Sequence, residues 1–266
     1  MSVTAIQSGA AFPNNPAMPR ARQLRAYFTE TKYECIRMLR TPGFSIPFLG
    51  IPVLLFLLFD VVLFGGTTRT DPDTAKYLFT AFAVLGMMGP GMFGFGMALA
   101  VEREQGLLKL KRALPMPPAS SLVAKTLMAV LFGFIIILTL IPSALTLGHV
   151  PLSIGQIFSV TTLCVFGTIP FSAIGLLIGS LAGGKSAAAY VNIIYQVMLQ
   201  LSGLFYPLPK FLRTIAPVWP THHLQQLIMR AIGGPSVGQP IFHISILIGV
   251  TLLCTALATR RLARPE

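Results

Sequence analysis

Six long apolar segments dominate the chain, at about 45–65, 77–101, 122–147, 157–182, 187–206 and 241–259. Each is near or above the ~20 residues that a helix needs to cross the hydrocarbon core of a bilayer. Their apolar positions run on without the alternation of period two that marks barrel strands, so the pattern predicts helices. The fourth and fifth segments are parted only by Gly183-Gly184-Lys185-Ser186, which predicts a tight helical hairpin.

The flanks are patterned differently. Residues 1–19 are rich in Ala, Pro, Asn and Ser and carry no apolar run. They lack the apolar stretch of a signal peptide and read as a disordered cytoplasmic tail. From 20 to 40, Leu24, Phe28, Thr31, Cys35 and Met38 recur at helical steps, with Arg22, Arg25, Lys32, Arg37 and Arg40 beside them. A basic amphipathic helix of this kind lies in the plane of a membrane surface or docks on a partner. Thr41-Pro42-Gly43 ends it. Between the fifth and sixth segments, 207–240 holds Pro207, Pro209, Pro217, Pro220, Pro235 and Pro240. Two amphipathic pieces there, around 209–216 and 221–232, are too short and polar to span. They are expected as re-entrant or surface helices at the outer face, shielded from lipid by protein.

Composition narrows the solvent. Hydrophobic residues make up 54% of the chain and charged ones 11%, against roughly 25% charged in a soluble domain. With a mean hydropathy of +0.74, the apolar surface exceeds what one soluble core of this length buries. The net charge of +12 could suit nucleic acid, but the basic residues cluster at span ends, where they orient a membrane protein. With both termini inside, the inner segments hold fifteen Lys and Arg and the outer segments five. The expected fold is an all-α membrane protein of six transmembrane helices (45–264), with an N-terminal amphipathic interfacial helix and short re-entrant helices between spans five and six. Cys35, Cys164 and Cys254 are widely separated, fit no metal spacing or disulfide framework, and read as buried small apolar residues.

One apparent motif is deceptive. Gly179 to Ser186 spells G-x-x-x-x-G-K-S, the letters of a phosphate-binding loop. That loop works between a buried strand and a helix N-terminus in an α/β domain. Here its first half is the end of an apolar span, so it reads as a turn, with Lys185 marking the cytoplasmic side. No catalytic or metal constellation appears either: His222 and His223 are neighbours whose side chains diverge by about 100° on a helix and cannot together chelate one metal.

The loop from Glu102 to Pro118 is more telling. It holds charges of both signs, Glu102, Arg103, Glu104, Lys109, Lys111 and Arg112, with Leu107, Leu108 and Leu110 and then Pro115, Pro117 and Pro118. The run Glu102-Arg103-Glu104-Gln105-Gly106-Leu107-Leu108 resembles the E-R-E-x-G-x-L segment of type-two ABC export permeases, a family of drug, polysaccharide and lipid exporters. Leu201-Ser202-Gly203-Leu204-Phe205-Tyr206-Pro207 resembles that family's L-S-G-x-x-F-P signature, with Tyr206 where Phe is commoner. Pro220-Thr221-His222-His223 sits where the family often has a P-x-x-Y-like segment, and His222-His223 departs from it. The resemblance covers about 20–264. It implies that helix 20–40 and loop 102–118 seat a separate ATPase, with Glu102, Arg103, Glu104, Gly106, Leu110 and Arg112 as coupling residues. It also implies two copies of that ATPase, a permease homodimer or heterodimer, and ATP and Mg bound by the partner rather than by this chain. Localisation to the inner (plasma) membrane, with both termini cytoplasmic, follows.

Polar groups within spans are costly and so are candidates for function. Asn192, Gln196 and Gln200 recur every four residues along the fifth segment, with Tyr195 adjacent. Such a stripe either bonds another helix or lines a path, and in the family this span borders the central cavity with span two. Asp60, an acid near the outer end of span one, is a candidate outer gate; the plainer reading is an acid reaching headgroup-level water or a neighbouring hydroxyl. Span two carries Gly86, Gly89, Pro90, Gly91, Gly94 and Gly96, which predict a kink and close packing. Its Phe79, Phe82, Met87, Met88, Met92, Phe93 and Phe95 offer an adaptable apolar wall, of which Phe82, Met88 and Phe93 are substrate-path candidates. The expected function is ATP-driven export of a hydrophobic or amphipathic compound (drug, lipid or peptide). The rival is an ion-gradient-driven secondary transporter, which would want more intramembrane acids or broken-helix sites. A membrane scaffold or enzyme is a third class that no residue favours.

Overall fold

The computed structural model describes residues 19–63, 71–113, 117, 119–206, 208–209 and 211–262. The expected tail therefore lies, but for its last residue, outside the described residues. Everything regular among the described residues is helical. Helix α1 (Arg20–Leu39) is followed after two residues by α2 (Pro42–Leu57), which runs on as a π-helical turn, Leu58–Leu63. Span two is α3 (Pro72–Gly89), a π-helical stretch Pro90–Met97, and α4 (Ala98–Glu104). Then come α5 (Leu107–Ala113), α6 (Ser120–Thr146), α7 (Ile154–Leu181), α8 (Gly184–Leu201), α9 (Pro220–Ala231) and α10 (Pro240–Leu262).

Five stretches are long and apolar enough to cross a membrane: Pro42–Leu63, Pro72–Glu104, Ser120–Thr146, Ile154–Leu181 and Pro240–Leu262. This is a multi-pass membrane protein. The expected fifth span, α8, forms as an 18-residue helix but is not among the five. Lys185, Asn192, Gln196 and Gln200 hold down its apolar character. The expected piece at 209–216 is corrected. Its backbone makes turns, Leu212 and Arg213 donating to the Pro209 carbonyl, before a 3-10 turn at Ala216–Val218. Pro217 leaves too few residues to nucleate and propagate an α-helix. The piece at 221–232 is α9, which buries Thr221, His223, Leu224, Gln225, Leu227, Ile228 and Met229.

Span two is the centre of the bundle. In its most apolar window 78% of residues are buried, against 17% for the first span and 22% for α10, which leaves those two outermost. Pro90 would clash with the carbonyl four residues back in a regular helix and leave it without a donor. The expected kink is expressed as the eight-residue π-helical stretch that Pro90 opens, a widened turn that relieves both problems. That stretch lies on α7 along a seam of glycines. A Cβ on Gly175 would stand 2.7 Å from the Gly91 carbonyl oxygen, and one on Gly96 2.7 Å from that of Gly175. Gly179 meets the Gly96 carbonyl more closely still. Backbones approach this closely only where side chains are absent.

Gly179 therefore sits inside α7 as a packing residue, and among the described residues no strand precedes it. Ala182 and Gly183 alone join α7 to α8, and Gly184 is already helical.

The candidate coupling surface and the polar helix face

At one end of the bundle, charges from four helices converge. Glu30, Glu34 and Arg37 come from α1, Glu102 from α4, Lys111 from α5 and Lys125 from α6. Lys125 is fully buried, its Nζ 2.6 Å from Glu34 Oε1 and 2.8 Å from Glu102 Oε1. Arg37 Nη2 lies 2.7 Å from the same Glu34 oxygen and 3.1 Å from Glu102 Oε1. Lys111 Nζ donates to Glu30 Oε1 at 2.7 Å and to Ser121 Oγ at 3.1 Å, and stands 3.7 Å from Glu102 Oε2. Three carboxylates thus meet three cations. A buried charge persists only when paired and hydrogen-bonded, and each member here meets at least one opposite charge. Burial works against the charge on Lys111, but its bond to Glu30 and the nearby Glu102 and Glu34 outweigh that and raise its pKa above the usual lysine value.

The cluster joins α1 to the segment after span two. Around it the other expected coupling residues take separate positions. Arg103 turns away and donates to the carbonyls of Gly179, Ser180 and Ala182 at the end of α7. It neutralises the negative end of that helix dipole. The Glu104 carboxylate lies against Gly184, at the opposite, positive end of α8. Gly106 adopts φ +72° and closes α4, its N–H bonded to the Arg103 carbonyl. Leu108 packs inward against the cluster of Phe95, Leu99, Leu176 and Ala258, whereas Leu110 is 64% exposed. Arg112 is helical, and its side chain lies outside the described residues. On α1, Cys35 and Met38 are buried, but Leu24 and Phe28 are 70% and 72% exposed. The expected stripe of that helix is thus half covered and half open.

Sequence reasoning missed Lys125, Glu34 and Glu30. A signal was present for Lys125, which follows a proline cluster as the only cation in an otherwise apolar segment.

The carboxamide stripe of α8 is open. Asn192, Gln196 and Gln200 are exposed, while Tyr195 is half-buried, its ring 5.3 Å from that of Phe93 in edge-to-face contact. Tyr206 donates to Gln200 Oε1 at 2.8 Å. Of the apolar wall on span two, Phe93 is the one residue not fully buried. Phe82 and Met88 are enclosed, with Phe82 stacked among Phe56, Phe59 and Phe205. Asp60 is also enclosed rather than reaching water, in the π-helical end of the first span with its carboxylate against Gly148.

At the other end of the bundle, His223 of α9 meets His243 of α10, a partner twenty residues away that the sequence did not announce. The two Nδ1 atoms are 2.7 Å apart. Among the described residues no group of His, Cys, Asp and Glu is arranged to hold a metal.

The sequence model of the ABC-2 type transporter family matches residues 25–232. The chain is also 25% identical over 224 residues to a Bacillus subtilis (strain 168) protein named as a transport permease, YvfS. That alignment covers 83% of this chain and 90% of the relative. The matched region takes in α1 from residue 25 onward, the charge cluster, α8 and α9.

Proposed function

The chain belongs to the ABC-2 type transporter family and is a membrane subunit of an ABC transporter, and from that premise we propose that it exports a hydrophobic or amphipathic compound, driven by two copies of a separate ATPase. The observation that carries the coupling half of this reading is the buried charge cluster. It makes α1 and the 102–113 segment one rigid unit, so a push on either is delivered to α4, α6 and α7 together. Exposed Leu24, Phe28 and Leu110 on the same unit are the apolar anchors for the ATPase.

The transport half rests on α8. Exposed carboxamides facing hydrocarbon would be costly. Paired copies of the chain, or of this chain and a sister permease, would cover that face and enclose a water-accessible path with Asn192, Gln196, Gln200, Tyr195 and Phe93 on its wall. In this reading α8 is the fifth of six spans. Both termini and the charge cluster lie in the cytoplasm, and the bilayer is the inner (plasma) membrane. An apolar compound suits the Phe and Tyr rings beside the stripe.

The experiment is to establish whether the neighbouring gene encodes a soluble ATPase with Walker motifs and to reconstitute the two proteins together. The two should copurify, and ATP hydrolysis should rise on assembly. The double substitution F28E/L110E should reduce ATPase recovery at least about tenfold, the cost of burying unpaired charges at an interface, while the permease elutes as before. Full recovery of the ATPase by that variant would sink the assigned surface. Transport in vesicles that persists without any ATPase and follows an imposed ion gradient would replace the reading with the secondary transporter.

A further inference from the structure

The histidine pair makes three hydrogen bonds whose donors can be counted. His223 Nε2 lies 2.7 Å from the Pro217 carbonyl oxygen, and His243 Nε2 lies 2.8 Å from that of Val237. Carbonyl oxygens only accept, so both Nε2 atoms carry hydrogens. Each neutral imidazole has one N–H. With both used on the carbonyls, both Nδ1 atoms would present lone pairs to each other at 2.7 Å. Moving either hydrogen to Nδ1 leaves a bare Nε2 facing a carbonyl oxygen instead. Every neutral arrangement therefore turns at least one of the three bonds into a repulsion. One added proton, on one Nδ1 and donated to the other, satisfies all three.

We propose that His223 and His243 form a single-proton site that latches α9 to α10 at the end of the bundle opposite the charge cluster. The site is enclosed, with His223 at 0% and His243 at 5% exposure, so water cannot substitute for the missing donor. Its surroundings are shaped to the rings. Gly238 takes φ +90°, and a Cβ there would stand 2.9 Å from His243 Nε2. The Val237 N–H is held by Gln226 Oε1 at 2.7 Å, which fixes the neighbouring carbonyl. Through Pro217, His223, His243 and Val237 the proton ties together the 3-10 turn, α9, the α9–α10 loop and α10.

Among the described residues, groups from α9 and α10 face the pair. From α9, His222 stands with its ring centroid 5.6 Å from that of His223 and 6.3 Å from that of His243, its Nδ1 3.3 Å from the Ser202 carbonyl oxygen. Arg230 of α9 donates to the Gly238 carbonyl. From α10, the Phe242 ring lies against His223. Burial holds His223 below the ordinary histidine value, against its bond to Pro217, and the neighbouring His243 and His222 lower it further. A second proton would set two cations side by side and is resisted. Acidification closes the latch and alkalinisation opens it. Under the orientation proposed above, this end senses the pH outside the cell.

The test is hydrogen–deuterium exchange of the full chain in lipid nanodiscs, treated with EDTA, from pH 5 to 8.5 and corrected for intrinsic exchange. Residues 220–243 should gain roughly three- to tenfold protection on acidification, the worth of one hydrogen bond. His243→Phe, which keeps a ring but not the nitrogens, should abolish that gain, and His222→Gln should leave it. Protection that ignores pH, or an unchanged response in His243→Phe, would overturn the latch. Nitrogen-15 NMR of the unsubstituted chain reads the same point without a variant. One shared proton with coupling between the two Nδ1 atoms is expected, and two independent titrations would overturn it.

Discussion

Lys125 is fully buried with Glu34 Oε1 at 2.6 Å and Glu102 Oε1 at 2.8 Å. Its ammonium is the innermost cation of the cluster, and Arg37 and Lys111 reach the same carboxylates from the periphery. Lys125→Met would keep the stem and remove the charge, leaving two buried carboxylates to repel. Breaking one partner out of a buried ionic group costs about 3–5 kcal/mol, so thermal unfolding of the purified chain in micelles should show a large fall in Tm. Adding Glu102→Gln to that variant should recover part of the loss, because one uncompensated charge goes with it. An unchanged Tm for Lys125→Met would mean that the cluster does not hold the helices. The Lys111–Glu30 link has a defined dependence on pH. Because the folded state raises the Lys111 pKa, its contribution is complete below the unfolded value of about 10.4 and fades only as pH rises through the raised one. The joint between α1 and α5 should therefore hold throughout the neutral and mildly alkaline range.

Among the elements, the seam between the π-helical stretch of span two and α7 is the least forgiving. Gly175 and Gly179 sit one turn apart on α7, each against a backbone carbonyl of span two. Backbone cannot swing aside as a flexible side chain can. Gly175→Leu or Gly179→Leu should separate the two central helices, and the variant should lose monodispersity on gel filtration in detergent. Gly155→Leu, at a position with open space around it, should elute normally; equal behaviour of the two would remove the seam from the account. The helices themselves were legible from local pattern, because a span needs only a long apolar run and its ends need only Pro, Gly and Lys or Arg. The glycines of span two announced close packing for the same reason. What stayed hidden was pairing at a distance. Nothing in the pattern of α1 says that Glu34 meets Lys125, or in that of α9 that His223 meets His243. The enclosure of Phe82 and Met88 was equally illegible, since an apolar side chain reads the same whether it lines a path or fills a core.

Across the whole molecule, the turns sort into two ends, as alternating spans require. One end gathers Glu34, Glu102, Lys111, Lys125 and the α7–α8 turn. The other joins Lys76 to the Gly233 carbonyl, Tyr77 to that of Gly203, and His223 to His243. Whether α8 crosses between the ends can be read directly. In a chain with Cys35, Cys164 and Cys254 replaced (all three buried), cysteines placed singly at exposed Lys185 and Val237 should differ. A membrane-impermeant maleimide should label the second in intact cells and the first only after permeabilisation. Labelling of both from one side would reduce the crossing count to five. The polarity of α8 also governs how the protein is made. A helix carrying Asn192, Gln196 and Gln200 on an open face partitions poorly from the translocon into lipid by itself. Only Ala182 and Gly183 separate it from the strongly apolar α7, so the two should enter as one insertion unit, α7 carrying α8 across. Once inserted, a solitary copy still shows that face to the acyl chains, which is the mark by which membrane quality control recognises an orphan. Under the assembly proposed above, a chain synthesised without its partner should be cleared early.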